Sequence, residues 1–170
     1  MTEGSNFRLT GGCQCGAVRY ALHEQPGDPH ICHCRMCQKA FGSFFAPLTG
    51  VPQEKFELTR GELSIFKSSD QTERGFCRNC GTPLTFHYVH SPRIAVSIGS
   101  LDEPEKIEPK TQYGIEGRMS WFGKLATLKG NLTTEADNPE LTAKIAASNH
   151  QHPDHDTAEW PPRGGSHGSH

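Results

Sequence analysis

The chain is expected to fold as a mainly β domain of antiparallel strands, with few short helices and metal cross-links. Three observations predict this. Short apolar runs bounded by turn residues dominate from Ala17 to Ile98, seven cysteines fall into three tight groups, and only 34% of the 170 residues are hydrophobic. A chain of this length forms one domain, and so lean a composition leaves a small core that bound metal would reinforce.

The elements can be taken in order. Met1 to Asn6 has no basic-then-apolar leader, so residues 1–8 are expected to be an N-terminal extension of a cytoplasmic chain. No run approaches the roughly 18 apolar residues that span a bilayer, so no membrane association is expected. Residues 9–135 make up the zinc-binding β domain. Within it Val18-Arg19-Tyr20-Ala21-Leu22 alternates, and Ser43 to Leu48 is rich in aromatic residues. Phe56 to Leu58, Ser64 to Phe66, Leu84 to Val89 and Ile94 to Ile98 are further short runs, punctuated by Gly61, Ser69-Asp70, Ser91-Pro92 and Gly99.

Two helices are expected. Arg35 to Ala40 can form a short turn before Gly42. Residues 136–149 hold a C-terminal helix with Asn138 as N-cap, Pro139 at the first position and Glu140 in the first turn; Leu141, Ala143, Ile145 and Ala146 would pack on the outside of the β domain. Residues 150–170 carry five of the ten histidines among Pro and Gly, and are expected to be a flexible tail.

The cysteines are Cys13-x-Cys15, Cys32-x-Cys34-x-x-Cys37 and Cys77-x-x-Cys80. An odd count leaves a thiol over in any disulfide scheme, and clustered cysteines without a secretory leader favour metal. Cys77 to Gly81 reads as a zinc knuckle, with Cys13-Gln14-Cys15-Gly16 as its distant partner. Four thiolates close the coordination sphere of a zinc ion, which makes Cys13, Cys15, Cys77 and Cys80 a structural set. Cys32, Cys34 and Cys37 have no fourth cysteine, so a zinc ion there keeps a position for an incoming thiol, which would bind as thiolate. Completion by a histidine, His30 or His33, stays open. In an extended Cys32-His33-Cys34 segment, however, alternate side chains point to opposite faces, which turns His33 away from a metal held by its neighbours.

Seven thiolates and two zinc ions would take the formal charge from −2 to −5. Such a chain lacks the cationic excess that a phosphate backbone attracts, and this excludes nucleic acid as a partner.

Four segments together resemble a known family: Gly11-Gly12-Cys13-Gln14-Cys15-Gly16-Ala17-Val18-Arg19-Tyr20, His33-Cys34-x-x-Cys37-x-Lys39-Ala40, Phe76-Cys77-x-x-Cys80-Gly81-x-Pro83-Leu84 and Gly99-Ser100-Leu101-Asp102. They are similar to the glutathione-dependent formaldehyde-activating enzymes, a family that includes the centromere protein V domain, over about Leu9 to Trp121. The resemblance implies a β-tent fold, a structural zinc on Cys13, Cys15, Cys77 and Cys80, and a catalytic zinc on Cys32, Cys34 and Cys37. It implies a carbon-sulfur lyase that joins formaldehyde to glutathione, its co-substrate, as S-(hydroxymethyl)glutathione. On that basis the partners are a small-molecule thiol and an aldehyde. His33 becomes a candidate proton acceptor, and Arg35, Lys39 and Arg118 become candidates for the glutathione carboxylates. Phe44, Phe45 and Trp121 become candidate pocket walls. Gln112, Tyr113, Gly114 and Ser120 depart from the family pattern. The competing expectation is a non-enzymatic module in which both ions brace a surface for a protein partner. The sequence leaves the oligomeric state open, a homo-oligomer included.

Overall fold

The computed structural model describes residues 7–132 and 138–161. Expectations for residues 1–6, for the boundary at 133–137 and for 162–170 fall outside the described residues. The described chain runs β1 (Leu9–Gly12), β2 (Arg19–Leu22), β3 (Gly27–Cys32), α1 (Arg35–Phe41), β4 (Ala46–Pro52), β5 (Phe56–Arg60), β6 (Ser64–Ser69), β7 (Thr72–Phe76), β8 (Pro83–Tyr88), β9 (Arg93–Ser97), β10 (Thr111–Tyr113) and α2 (Pro139–Ala147). It is the mainly antiparallel β-tent architecture expected.

The strands form a three-stranded sheet, β1-β2-β5, and a seven-stranded sheet, β10-β3-β4-β9-β8-β7-β6. Every pairing is antiparallel except β10 with β3, which run parallel with Tyr113 opposite Cys32. The main core lies between the sheets and includes Leu9, Tyr20, Leu22, Val51, Leu84, Ile94, Val96 and Ile98. A second cluster of Cys37, Ala46 and Leu48, with Phe86 and Ala95 against it, sits under α1. The expected strand from Ser43 begins only at Ala46, because Phe44 and Phe45 leave the sheet to pack edge-on against Trp121 and Phe122.

A buried ion pair ties the small sheet to the segment after β9. Arg19 Nη1 donates to Asp102 Oδ1 at 2.8 Å, and Thr10 Oγ1 donates to Asp102 Oδ2. Tyr20 Oη and Ser100 Oγ bond at 2.7 Å beside it. Two of the motifs quoted above, at Arg19-Tyr20 and Ser100-Asp102, are thus partners in one latch.

The C-terminal segment differs from expectation in two ways. Asn138 Oδ1 caps α2 by accepting from the Leu141 amide at 3.0 Å, as predicted, but no residue of the helix is buried and Leu141 and Ile145 are 50% and 57% exposed. Beyond the helix, the described part of the tail is a docked strap rather than a loose end. The His152 amide donates to Gln14 O at 2.7 Å, the Trp160 indole donates to Cys15 O at 2.7 Å, and Asp156 pairs with both Arg8 and Arg19. Arg60 reaches the Thr157 carbonyl. His152 is buried against Gly16, whose φ of +76° and missing Cβ make room for the ring. Composition concealed this, because the strap docks through hydrogen bonds and charge with little apolar burial.

Truncation after Asn149 is therefore expected to lower stability by about 2–4 kcal/mol, read as a lower urea midpoint. Burial, helped by Arg19 and Arg60, depresses the His152 pKa below 6.5 against the pull of the Pro153 carbonyl. The unfolded chain then takes up a proton as pH falls through 6.5 while the folded chain does not, so the strap's contribution is complete above that pH and is lost below it. Asp156 acts in the same direction at lower pH: burial opposes its ionisation, but Arg8 and Arg19 hold it below the ordinary carboxylate value. The gap in urea midpoint between full-length and truncated chains should shrink on going from about pH 8 to about pH 5.

Candidate metal centres

The first cluster joins two turns. Cys13 and Cys15 lie between β1 and β2, where Gly16 donates to Cys13 O, and Cys77 to Cys80 turn the chain from β7 into β8, where Gly81 donates to Cys77 O. Gly16 and Gly81 have φ of +76° and +77°, the left-handed conformation such turns require. The four sulfurs lie within 4.8 Å of one another, with Cys13 to Cys15 at 3.6 Å and Cys15 to Cys77 at 3.8 Å. A tetrahedron of 2.3 Å metal–thiolate bonds spaces its sulfurs about 3.8 Å apart, so the cluster fits a closed tetrathiolate site. Burial pushes Cys13 up, and pushes Cys15 up to about 11, whereas the Thr82 hydroxyl and amide outweigh burial and lower Cys80 to about 6. Without a cation the cluster retains protons that a metal would displace.

The second cluster holds the Cys32, Cys34 and Cys37 sulfurs within 4.8 Å, and among the described residues no fourth His, Cys, Asp or Glu groups with them. Three elements position it. β3 ends at Cys32, held between β4 and β10; Cys34 caps α1 by accepting from the Cys37 amide at 3.4 Å; and Cys37 faces inward from the first turn. Gly114, with φ of +62°, lets the β10 loop approach: a Cβ there would lie 2.8 Å from the Cys34 nitrogen. Buried Gln38 locks the arrangement by donating to His33 O at 2.8 Å and Gly117 O at 2.9 Å. Burial raises the Cys32 thiol to about 12, while burial at Cys34 is outweighed by the Cys37 and Met36 amides and the neighbouring thiols, which lower it.

A cavity of about 560 Å³ is lined by all three cysteines. Met36, Leu48, Phe86, Ile94 and Ala95 supply its apolar wall, and Asp28, His30, Arg74, Arg93 and Tyr113 its polar groups. A second groove of about 710 Å³ shares Met36 and Arg74 with it and carries Arg35 and Lys39. Arg118 lines neither; it donates to Gln112 Oε1 at 3.4 Å.

His33 turns away from the sulfurs, as alternation along an extended segment requires, and it stands off the cavity as well. It is fully buried, bonds Gln112 Oε1 through Nε2 at 3.0 Å, and packs edge-on against Phe45 and Phe122. It therefore braces β10 and does not line the cavity. Phe44, Phe45 and Trp121 belong to the same aromatic cluster and do not line the cavity. His30, one of the two histidines that could have completed the trio, is on the cavity wall, with Nδ1 2.7 Å from Asp28 O and its ring edge-on to Tyr113.

Sequence reasoning missed Arg74. It is buried on β7, with Nη2 3.5 Å from Cys37 Sγ and the guanidinium 4.9 Å from the centre of the Phe86 ring. Its guanidinium works against burial at the Cys37 thiol, though burial prevails. An arginine in the polar run Gln71 to Arg74 reads as solvent-facing; only the alternation of β7, which buries Thr72 and Arg74, could have signalled otherwise.

Residues 8–116 match the family model described as glutathione-dependent formaldehyde-activating enzyme. A Schizosaccharomyces pombe protein described as an uncharacterized lyase is 34% identical over 82 residues, covering 47% of this chain and 58% of that protein. A Halomonas elongata protein with the provisional name glutathione-dependent formaldehyde-activating enzyme is 23% identical over 162 residues, 89% of this chain and 93% of that one. The crystal structure of a Rhodobacter sphaeroides protein, 23% identical, superposes with a TM-score of 0.50 over 61% of this chain and 98% of its own; the likeness is one of fold. Among the described residues no helix is long and apolar enough to cross a membrane.

The two clusters predict different responses to substitution. Cys77→Ser should break the closed site and unfold the domain, seen as loss of the cooperative urea transition. Cys34→Ser should leave a folded protein with one fewer bound metal ion per chain by elemental analysis.

Proposed function

The chain belongs to the glutathione-dependent formaldehyde-activating enzyme family, and we propose that it is a zinc-dependent carbon-sulfur lyase that adds a small aldehyde to, or removes it from, a thiol such as glutathione. The observation that carries this reading is the three-sulfur cluster open to a cavity, set against a four-sulfur cluster that closes on itself. A surface braced for a protein partner needs no such cavity beside the incomplete set.

Cys13, Cys15, Cys77 and Cys80 would hold a structural zinc, and Cys32, Cys34 and Cys37 a second one. Bound there, zinc supplies Lewis acidity that makes an incoming thiol a thiolate at neutral pH. The chain's own residues do the rest. Met36, Leu48, Phe86, Ile94 and Ala95 give the cavity an apolar wall that limits water around a small aldehyde, and a volume of about 560 Å³ suits a small-molecule ligand. Arg35 and Lys39, in the adjoining groove, are placed to meet the carboxylates of a peptidic thiol that extends from one cavity into the next. Arg118 stands outside this path. With His33 sealed away, water is the carrier that takes the thiol proton and returns one to the adduct oxygen.

Formaldehyde and glutathione mixed with purified protein are expected to show faster exchange with S-(hydroxymethyl)glutathione, measured by exchange spectroscopy, and Cys34→Ser should abolish the acceleration. A protein with both ions bound and no acceleration would direct the reading to a different thiol adduct.

A further inference from the structure

Arg74 is 7% exposed and lines both the trio's cavity and the adjoining groove. Its Nε donates to Ser68 Oγ at 3.2 Å, and Nη2 has a sulfur, Cys37 Sγ, at 3.5 Å. Nη1 is buried with no hydrogen-bond partner, and among the described residues no carboxylate pairs with the guanidinium. A guanidinium has five N–H donors and keeps its charge at every physiological pH, so burying one without an acid partner is costly. Phe86 under its face offsets part of that cost and leaves Nη1 without an acceptor.

An acceptor from outside the chain would complete them, and position decides which one. The guanidinium touches a sulfur of the trio, so it adjoins the place where bonds change. The carboxylates of a peptidic thiol lie several bonds from its sulfur, toward Arg35 and Lys39. We propose that Arg74 is a catalytic residue whose guanidinium donates to the aldehyde oxygen and stabilises the negative charge that develops there as the thiol sulfur adds to the carbonyl carbon.

The proposal rests on the lyase reading above. In the addition a carbon–sulfur bond forms, the π pair of the carbonyl moves onto oxygen, and that oxygen takes up one proton for the one the thiol gave up. Nothing is oxidised or reduced, and Arg74 stays protonated throughout. In the reverse direction the same donors hold the oxygen while the carbon–sulfur bond breaks. Donors fixed in a dry site need no reorganisation as the charge appears, which is why they act on the rate rather than on binding of the thiol.

The test compares two small ligands on the metal-loaded protein. Thioacetate carries an oxygen on the carbon next to sulfur, the arrangement of the adduct, and ethanethiol lacks it. By calorimetric titration the wild type should favour thioacetate, and Arg74→Met should lower the ratio of the two affinities about 10-fold or more. Arg74→Lys, which keeps the charge but not the fork of donors, should lower it less. In the exchange assay Arg74→Met should reduce kcat about 100-fold with the KM for glutathione nearly unchanged. Metal content and circular dichroism check that each variant folds, and Arg74→Lys serves alone if Arg74→Met does not. An affinity ratio that is the same in wild type and variants, or no thioacetate preference in the wild type, overturns the proposal. So does a raised KM with kcat intact, which would assign the guanidinium to a carboxylate. A wild type that shows the Arg74-dependent preference but no exchange overturns the lyase reading and leaves Arg74 as the oxygen-binding group.

Discussion

Four thiols from the turns of the two sheets meet at one point, where a shared metal ion would tie the sheets together. Cys13 and Cys15 leave the small sheet between β1 and β2, Cys77 and Cys80 leave the large sheet between β7 and β8, and their sulfurs meet within 4.8 Å. Hydrophobic burial alone has little to work with in a chain that is 34% apolar. The neighbouring interactions reinforce the same junction. Arg19, buried and paired with Asp102, also receives Asp156 from the strap, which lays His152 and Trp160 against the Cys13 to Gly16 turn. Each of these draws a distant part of the chain toward one knot, and little of their strength comes from apolar area.

With the sheets fixed, the large one becomes a platform for the second cluster. The cavity floor is drawn from β4, β7, β8 and β9, which supply Leu48, Arg74, Phe86 and Ala95, while the sulfurs come from the end of β3 and the start of α1. The parallel pairing of β10 with β3 closes the rim, and Gln38 and His33 fasten the following loop to the back of the cluster. The trio is therefore held from behind by buried polar contacts and left open in front. This is the arrangement expected when first-contact groups must be rigid and a ligand must still enter.

How much of this was legible varied with the kind of signal. Cysteine spacing divided the ligands into four and three, and the structure brings those same sets together. Strands with alternating apolar residues, β2, β8 and β9, stood out, whereas β3 was hidden by Pro29 and only the start of β4 was seen, because Pro29 and Pro52 read as turn residues although the strands lie inside the sheet. A three-residue strand pairing in parallel some eighty residues away, as β10 does, leaves no local pattern. The strap was hidden for a related reason: histidine, proline and aspartate mark a solvated segment unless one knows that Gln14, Arg19 and Arg60 wait to receive them. His33 was placed on the correct face by alternation, but what occupies that face depends on Phe45, Gln112 and Phe122, which come from elsewhere in the chain.

The two clusters use one ligand chemistry and differ in their surroundings, and charge explains what each can do. Four thiolates around a dication carry about −2 and have no free position, and the contacts to the sulfurs from outside the set come from neutral groups, the Val18 amide and the Thr82 hydroxyl. With an ion bound, such a site would offer nothing to a ligand. Three thiolates around a dication would carry about −1, and here a buried guanidinium lies 3.5 Å from Cys37 Sγ. With one negative charge fewer than the closed site, the trio would repel an incoming thiolate less in the same poorly screened setting. On the lyase reading, the Arg74 guanidinium would stand beside whatever negative charge the thiol sulfur passes on to its partner, and that is where its donors would act.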